Sequence, residues 1–394
     1  MASMNSAASG TASPLAAADS AASWLRDAAW PLWLEHGVDW ARGGFCESLD
    51  LQTLQSPAQF RRLRVVARQV FVFSHAHAAG LPRAGDAVEL GITFLRDKAR
   101  AADGGYAQRF ALDGAVISDH RDLYDHAFVL LALSSASRLL PAAPLRQEAL
   151  ALLQYLDSQF PHALGGYLES LPPALPRRQN PHMHLLEACL AASEAFGDAI
   201  FLQRAGDIVR LFLDRFLDQT HGTLPEFFDE ALRPLRENGL YLVEPGHHCE
   251  WVWLLDWYQQ LAAGKGVADT STIAGANRGL MSFVDRFGIN PQLGTLYDEV
   301  VVSGDVHGYG SRLWPQTERL KAEILRPDAS PAKIQAAFAA LDRYLTPAPR
   351  GLWHERLDQT GHASVEPAPA SSLYHLTAGI VVSQQHLAKG TVPA

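Results

Sequence analysis

The stretch Gly165-Gly166-Tyr167-Leu168-Glu169 has five counterparts in the chain: Gly43-Gly44-Phe45, Gly104-Gly105-Tyr106, Gly222-Thr223-Leu224, Gly294-Thr295-Leu296 and Gly351-Leu352-Trp353. By subtraction, successive first glycines lie 61, 61, 57, 72 and 57 residues apart. A period near sixty marks a repeat architecture. An acid follows several of the turns, as Glu47, Glu169, Glu226, Asp298 and Glu355, and the flanking residues read as short hairpin strands.

Between the turns, apolar residues return every three or four positions, the period of amphipathic helices. The pattern predicts twelve helices, near 18–35, 59–79, 83–99, 121–139, 143–159, 180–196, 198–216, 246–263, 269–287, 310–326, 330–345 and 370–388. Each glycine turn follows an odd helix and precedes an even one. A helical hairpin cannot bury its apolar stripe alone, so six of them are expected to close into an all-α (α/α)6 barrel with even helices inside. An open solenoid is the competing arrangement. Ala127 to Ala132 and Leu185 to Ala192 are apolar over most of their circumference, as helices covered on both sides must be. No boundary interrupts the repeat, so residues 19–394 read as one catalytic domain. The Ala/Ser-rich residues 1–18 read as a flexible arm.

The totals narrow the function classes. Of 394 residues, 48% are hydrophobic, enough for a large core. With 33 basic and 42 acidic residues the net charge is −9, which argues against nucleic acid as a partner, since phosphate binding needs a basic face. No apolar run is long enough to span a membrane. Cys46, Cys189 and Cys249 are too few and too scattered for a disulfide framework or a cysteine zinc site, and suit a reducing cytoplasm. The oligomeric expectation is a monomer or homodimer.

The polar residues that stand out fall on the even helices, mostly in their first two turns: Arg68, Gln69, Tyr124, His126, Asn180, His184, Glu187, Glu318, Tyr374 and His375. The densest group is Glu244-Pro245-Gly246-His247-His248-Cys249-Glu250-Trp251, where Pro-Gly opens a helix and His247, Glu250 and Trp251 share one face. His184 and Glu187 repeat the His247–Glu250 spacing. In a barrel these residues gather at the end where the inner helices start. Imidazoles titrating near neutrality beside orienting carboxylates suit proton transfer next to a carbonyl, as in aldose–ketose isomerisation or epimerisation. Trp251 is the candidate apolar platform. No Walker loop, dinucleotide fingerprint or serine nucleophile elbow is present, and no cofactor or metal is expected: adjacent helical histidines point about 100° apart and i, i+4 His pairs are absent.

Ala67-Arg68-Gln69, Asn180 to Ala188, Pro245-Gly246-His247 through Trp251, Trp314 to Glu318 and Tyr374-His375 resemble, in order, the motifs of the N-acylglucosamine 2-epimerase superfamily, most of all its D-mannose isomerases. The resemblance spans about residues 20 to 388. It implies an (α/α)6 barrel and metal-independent interconversion of mannose and fructose. It further implies His375 as the acid/base moving a proton between C1 and C2, and His247, oriented by Glu250, as its helper. Arg68, Tyr124, Asn180, His184 and Glu318 would hold the sugar, with Glu187 and Trp251 as further contacts. His248 leaves open which neighbouring histidine faces the pocket; the spacing to Glu250 favours His247. The alternatives are a sugar 2-epimerase, a sulfoquinovose isomerase using Arg236, an (α/α)6 glycoside hydrolase using acids such as Glu226 and Glu318, and a carbohydrate-binding protein without turnover.

Overall fold

The computed structural model describes residues 13–263 and 270–390. The first outer rod is α1 (Pro14–Trp24) and α2 (Trp30–His36), joined through a π-helical turn at Leu25–Ala29. The other outer helices are α4 (Ala84–Phe94), α6 (Ala142–Gln159), α8 (Ala199–Leu211), α10 (Thr270–Phe283) and α12 (Pro331–Asp342). The inner helices are α3 (Leu63–Ala78), α5 (Leu123–Ala136), α7 (Asn180–Phe196), α9 (Pro245–Ala262), α11 (Leu313–Leu325) and α13 (Ala370–Ala388). Each inner helix packs on the next, and α13 packs back on α3.

Closure is also written in the backbone. A two-residue strand shortly ahead of each inner helix pairs antiparallel with the hairpin of the following repeat, as Arg61–Arg62 do with Arg109–Phe110. The sixth pairing returns to the first repeat, Ala368 opposite Leu49 and Pro369 opposite Ser48. The ring therefore has no free edge at this end, which settles closed barrel against open solenoid.

The first glycine of all six turns has a positive φ, from 63° at Gly222 to 112° at Gly351. Only glycine adopts that conformation without steric cost, which is why the turn signature survives in repeats whose other residues differ. Four turns are fastened to the next inner helix by a side chain on its first turn. The ring nitrogens Nε2 of His126, His182 and His248 accept from the backbone N–H of Tyr106, Tyr167 and Leu224, each at 3.0 Å, and Gln316 Oε1 accepts from Leu296 at 2.9 Å. Burial pushes the three imidazoles down to about 4, so they stay neutral with Nε2 as acceptor. His126, a candidate site residue by sequence, is thus a turn clamp. His248→Ala leaves the buried Leu224 N–H without its acceptor and is expected to cost about 1–3 kcal/mol in urea unfolding, with the m-value unchanged.

One boundary needs correction. The first helix starts at Pro14, not near 18: Ser13 Oγ accepts from Ala16 N–H and proline occupies the first turn, while Ala18 is fully buried. The expected arm through residue 18 is helical from Pro14; its residues 1–12 lie outside the described residues. No described helix is long and apolar enough to cross a membrane.

Candidate active site

The clamps reveal a register that spacing alone had hidden. His126 and Gln316 lie three residues after Leu123 and Leu313, and His182 and His248 three after Gln179 and Pro245. Leu63, Leu123, Leu313 and Ala370 each donate a backbone N–H to the carbonyl of a hairpin residue, Gln108, Glu169, Glu355 and Glu47. Five residues beyond these six starting points stand Arg68, Phe128, His184, Glu250, Glu318 and His375. The barrel axis is thus encircled by one such residue per repeat. One residue beyond the starting points stand Tyr124, Asn180, Trp314 and Ser371, a layer nearer the mouth.

A pocket of about 190 Å³ opens at this end. Seven of the sequence-selected residues line it: Arg68, Tyr124, Asn180, His184, His247, Glu250 and His375. His375 Nδ1 donates to Glu318 Oε1 at 2.9 Å, which leaves Nε2 as the basic nitrogen. Burial lowers His375 to about 4, with Glu318 opposing. Burial would raise the Glu318 carboxyl, but Lys321, whose Nζ is 2.6 Å from Oε2, and then His375 hold it at about 2.

His247 sits in the opposite environment. Its Nδ1 lies 2.9 Å from Glu226 Oε1 and 3.8 Å from Glu244 Oε2. Burial disfavours its charge, yet Glu226 and then Glu244 outweigh that and hold the imidazole at about 9. At neutral pH it is an imidazolium with two N–H groups. Asn180 contacts its Nε2 at 3.0 Å; the side-chain amide turned end for end offers Oδ1 to that N–H. The two histidines therefore differ in protonation although both are held by glutamates.

Four atoms lining the pocket are buried without a hydrogen-bond partner among the described residues: both carboxyl oxygens of Glu250, Nε of Arg68 and Oδ1 of Asn180. Polar atoms placed so are satisfied by a hydroxyl-rich ligand or by water. The Arg68 guanidinium is set by Tyr124, which accepts from Nη2 at 2.6 Å, and by the Phe128 ring 4.1 Å below it. Burial, with the Glu318 charge adding to it, drives the Glu250 carboxyl well above the usual range, so it keeps its proton.

Several assignments change. Glu250 does not orient His247; that contact belongs to Glu226, and Glu250 instead lies 3.6 Å from His184 Nδ1. Trp251 is fully buried, stacks on Phe212 at 4.2 Å and donates to Gln179, because the helix turns its ring into the layer between inner and outer helices. The aromatic face in the pocket is Trp314, its ring 4.9 Å from that of His247 and 5.6 Å from that of His375. Glu187 lies below the pocket, accepting from His184 and from the Tyr374 hydroxyl. Glu318 is fully buried and does not line the pocket; it reaches it only through His375. Gln69 donates to the Ala370 carbonyl, a structural contact. Arg236 bonds its own hairpin at Gly239 and lies outside the pocket.

Sequence reasoning missed Glu244, Arg312, Trp314, Glu355, Ser371 and Ser372 as pocket residues. Trp314 carries the same register as Tyr124 and Asn180, a signal visible only once the starting points are known. A larger cavity, about 530 Å³, opens at the far end of the barrel beside Glu187, Trp253 and Trp257. It holds neither His247 nor His375, so the smaller pocket is the better site for chemistry. Three groups, His184–Glu187–Glu250, Glu226–Glu244–His247 and Glu250–Glu318–His375, bring potential metal ligands within 4.8 Å of one another. In the last, the Lys321 ammonium already neutralises Glu318, and in the second His247 is itself the cation between the acids.

The (α/α)6 barrel is an architecture shared with solved sugar epimerases and a solved mannose isomerase. Residues 43–379 match the model of the N-acylglucosamine 2-epimerase (GlcNAc 2-epimerase) family, and the chain belongs to that family. It is 37% identical over 380 residues to a mannose-6-phosphate isomerase of Rhizobium meliloti (strain 1021), covering 91% of this chain and 94% of that protein. It is 31% identical over 244 residues to a D-mannose isomerase of Thermobifida fusca, covering 56% of each. A crystal structure of a D-mannose isomerase superposes with a TM-score of 0.81 at 18% identity, covering 93% of this chain and 97% of that one.

Proposed function

We propose that the protein is an aldose–ketose isomerase that interconverts mannose and fructose by proton transfer through a cis-enediol. The observation that carries this reading is the pair of pocket imidazoles held in opposite protonation states, His375 near 4 and His247 near 9. Two groups whose environments push them apart make an acid and a base in one site. Glu318 fixes the His375 tautomer and Glu226 stabilises the His247 cation.

In this scheme His247 gives a proton to the ring oxygen as the C1–O bond breaks and takes up the proton leaving the O1 hydroxyl, so it is a cation again when, with Arg68, it polarises the exposed C1 carbonyl. His375 Nε2 removes the proton from C2. The negative charge developing on O1 falls beside the two cations, where it is best stabilised. The O2 proton moves to O1 by way of His247, and His375 returns its proton to C1, which leaves the carbonyl at C2. Trp314 supplies an apolar face for the sugar, the neutral Glu250 carboxyl accepts and donates to hydroxyls, and Tyr124, Asn180 and His184 complete the polar wall. A 2-epimerase reading needs proton access to both faces of C2, and the identity of the product, fructose or glucose, separates the two readings. Glu226 and Glu318, the acids a glycoside hydrolase would use, are each engaged with a histidine.

Chelator-treated protein incubated with mannose in deuterium oxide is expected to form fructose with deuterium at C1. Glucose as the main product identifies an epimerase, and neither product nor exchange removes the reading. The pH dependence follows from the two shifts. Activity needs His375 unprotonated, hence pH above about 4, and His247 protonated, hence pH below about 9. Glu226→Gln removes the largest attraction that raises His247, so the alkaline limb of kcat/KM is expected to fall by at least about one pH unit while the acid limb stays.

A further inference from the structure

All six inner helices contribute to the cavity of about 530 Å³ at the far end of the barrel. A void of that size, lined by aromatic and aliphatic side chains with a few polar groups among them, has the make-up of a small-molecule site. Trp257 and Trp253 both line it, their rings stacked 5.5 Å apart at an interplanar angle of 17°. His75 lines it too, its ring 4.5 Å from that of Phe71, and its nitrogens have no hydrogen-bond partner among the described residues. Burial, with the Arg138 charge adding to it, drives this imidazole down to about 3, so it is neutral and offers one donor and one acceptor.

The charges around the cavity balance. Arg138 and Lys389 are exposed and without ion pairs among the described residues, and so is Glu194, while Asp256 accepts from Gln260 at 2.6 Å. Glu187, the remaining acid, is already engaged by His184 and Tyr374, and His386 by the Val382 carbonyl. Neither an anion nor a cation meets a field of one sign here. We infer that the cavity is a second sugar site, which takes a neutral pyranoside with its apolar ring face on the Trp257 indole and its hydroxyls on His75 and the mixed donors and acceptors around it.

This site and the pocket are linked through shared partners. Trp253 donates Nε1 to Glu318 Oε2 at 3.1 Å, and Glu318 in turn holds His375 at 2.9 Å; Glu187 accepts from His184 Nδ1 at 3.3 Å. An occupant that shifts Trp253 or bonds Glu187 therefore acts on both histidines, and by linkage a ligand in the pocket acts on the occupant.

Methyl α-mannopyranoside cannot open its ring, so it reports binding without turnover. It is titrated by ligand-detected NMR against two variants that disable the pocket, Ser371→Trp, which fills its mouth, and Arg68→Ala. Both should still bind about one mannoside per chain, with a Kd of about 1–10 mM, as a ligand of that size allows. Adding Trp257→Ala should weaken this binding by about tenfold or more, and adding Val381→Trp, which fills the cavity, should abolish it, with folding checked by circular dichroism. Absence of saturable binding in folded pocket variants overturns the site, as does a Kd that both cavity substitutions leave unchanged. Alanine, a zwitterion, binding in place of the mannoside overturns the ligand class. With isotope-labelled histidine, saturating mannoside should move the His375 ring resonance of Ser371→Trp; an unmoved resonance overturns the link. Each readout stands without catalysis, so a failed isomerase reading and a failed second site are told apart.

Discussion

His375→Ala is expected to lower kcat for mannose by about a thousandfold or more, the range that general acid–base groups supply, and to abolish deuterium incorporation from solvent in parallel. The reason lies in the division of protonation states. His247, held as a cation between Glu226 and Glu244, has no lone pair to offer at neutral pH. His184, the third histidine of the pocket, has its Nδ1 against Glu187 and is driven well below its usual value by burial and then Arg68, but it has no Glu318-like carboxylate and lysine pair behind it. Removing His375 therefore removes the base, not one of several. The variant should fold, because the ring lines the pocket and its loss unpairs only Glu318, which keeps Lys321 and Trp253. Single-turnover mixing with product analysis, alongside circular dichroism, checks both halves. A variant that retains a tenth of wild-type kcat rules out His375 as the base.

Lys321→Met should be the most destabilising single substitution around the site. Lys321 is 1% exposed, its Nζ is 2.6 Å from Glu318 Oε2, and it lies 3.8 Å from the Trp253 ring. Methionine fills the space of the alkyl stem but leaves a fully buried carboxylate without its cation, held by His375, the Trp253 N–H and a long contact from the Thr317 hydroxyl. Breaking a buried ion pair from one side costs about 3–5 kcal/mol. The axis holds two further acids close by, Glu187 and Glu250, whose repulsion with Glu318 Lys321 offsets. Guanidinium unfolding measures the loss. A second effect should follow in activity: without the ammonium, Glu318 takes up a proton more readily and stops holding His375 by Nδ1–H, so the remaining folded enzyme should show a lower kcat with a distorted acid limb. A loss below about 1 kcal/mol would mean that the pair is screened in a way the packing does not suggest.

How much of this was legible beforehand differs by level. The glycine turns and the helical periodicity determined an all-α chain of six helical hairpins, because a residue confined to positive φ and a stripe returning every 3.6 residues are local facts that survive any tertiary context, while the choice of closed barrel over open solenoid came from the strand pairing that joins the last repeat to the first. They also located most of the pocket: residues early on inner helices must meet at one end of a closed ring. What periodicity cannot encode is the rotation of each helix about its own axis. His247 and His248 are neighbours on one helix, and Trp251 and Trp314 or Glu187 and Glu250 stand at different positions of different helices; only the clamp from His248 to Leu224 and its counterparts decides which of each set faces the axis. The partners of the histidines were equally out of reach. Glu226 lies 21 residues before His247 and Glu318 lies 57 before His375, and no spacing rule connects them, since hairpins and neighbouring repeats bring them together. The sequence by itself determined that imidazoles, carboxylates and an arginine share one mouth. Only the tertiary structure decided which imidazole is charged, because burial and the carboxylates around each ring set that difference, and both are created by closing the barrel.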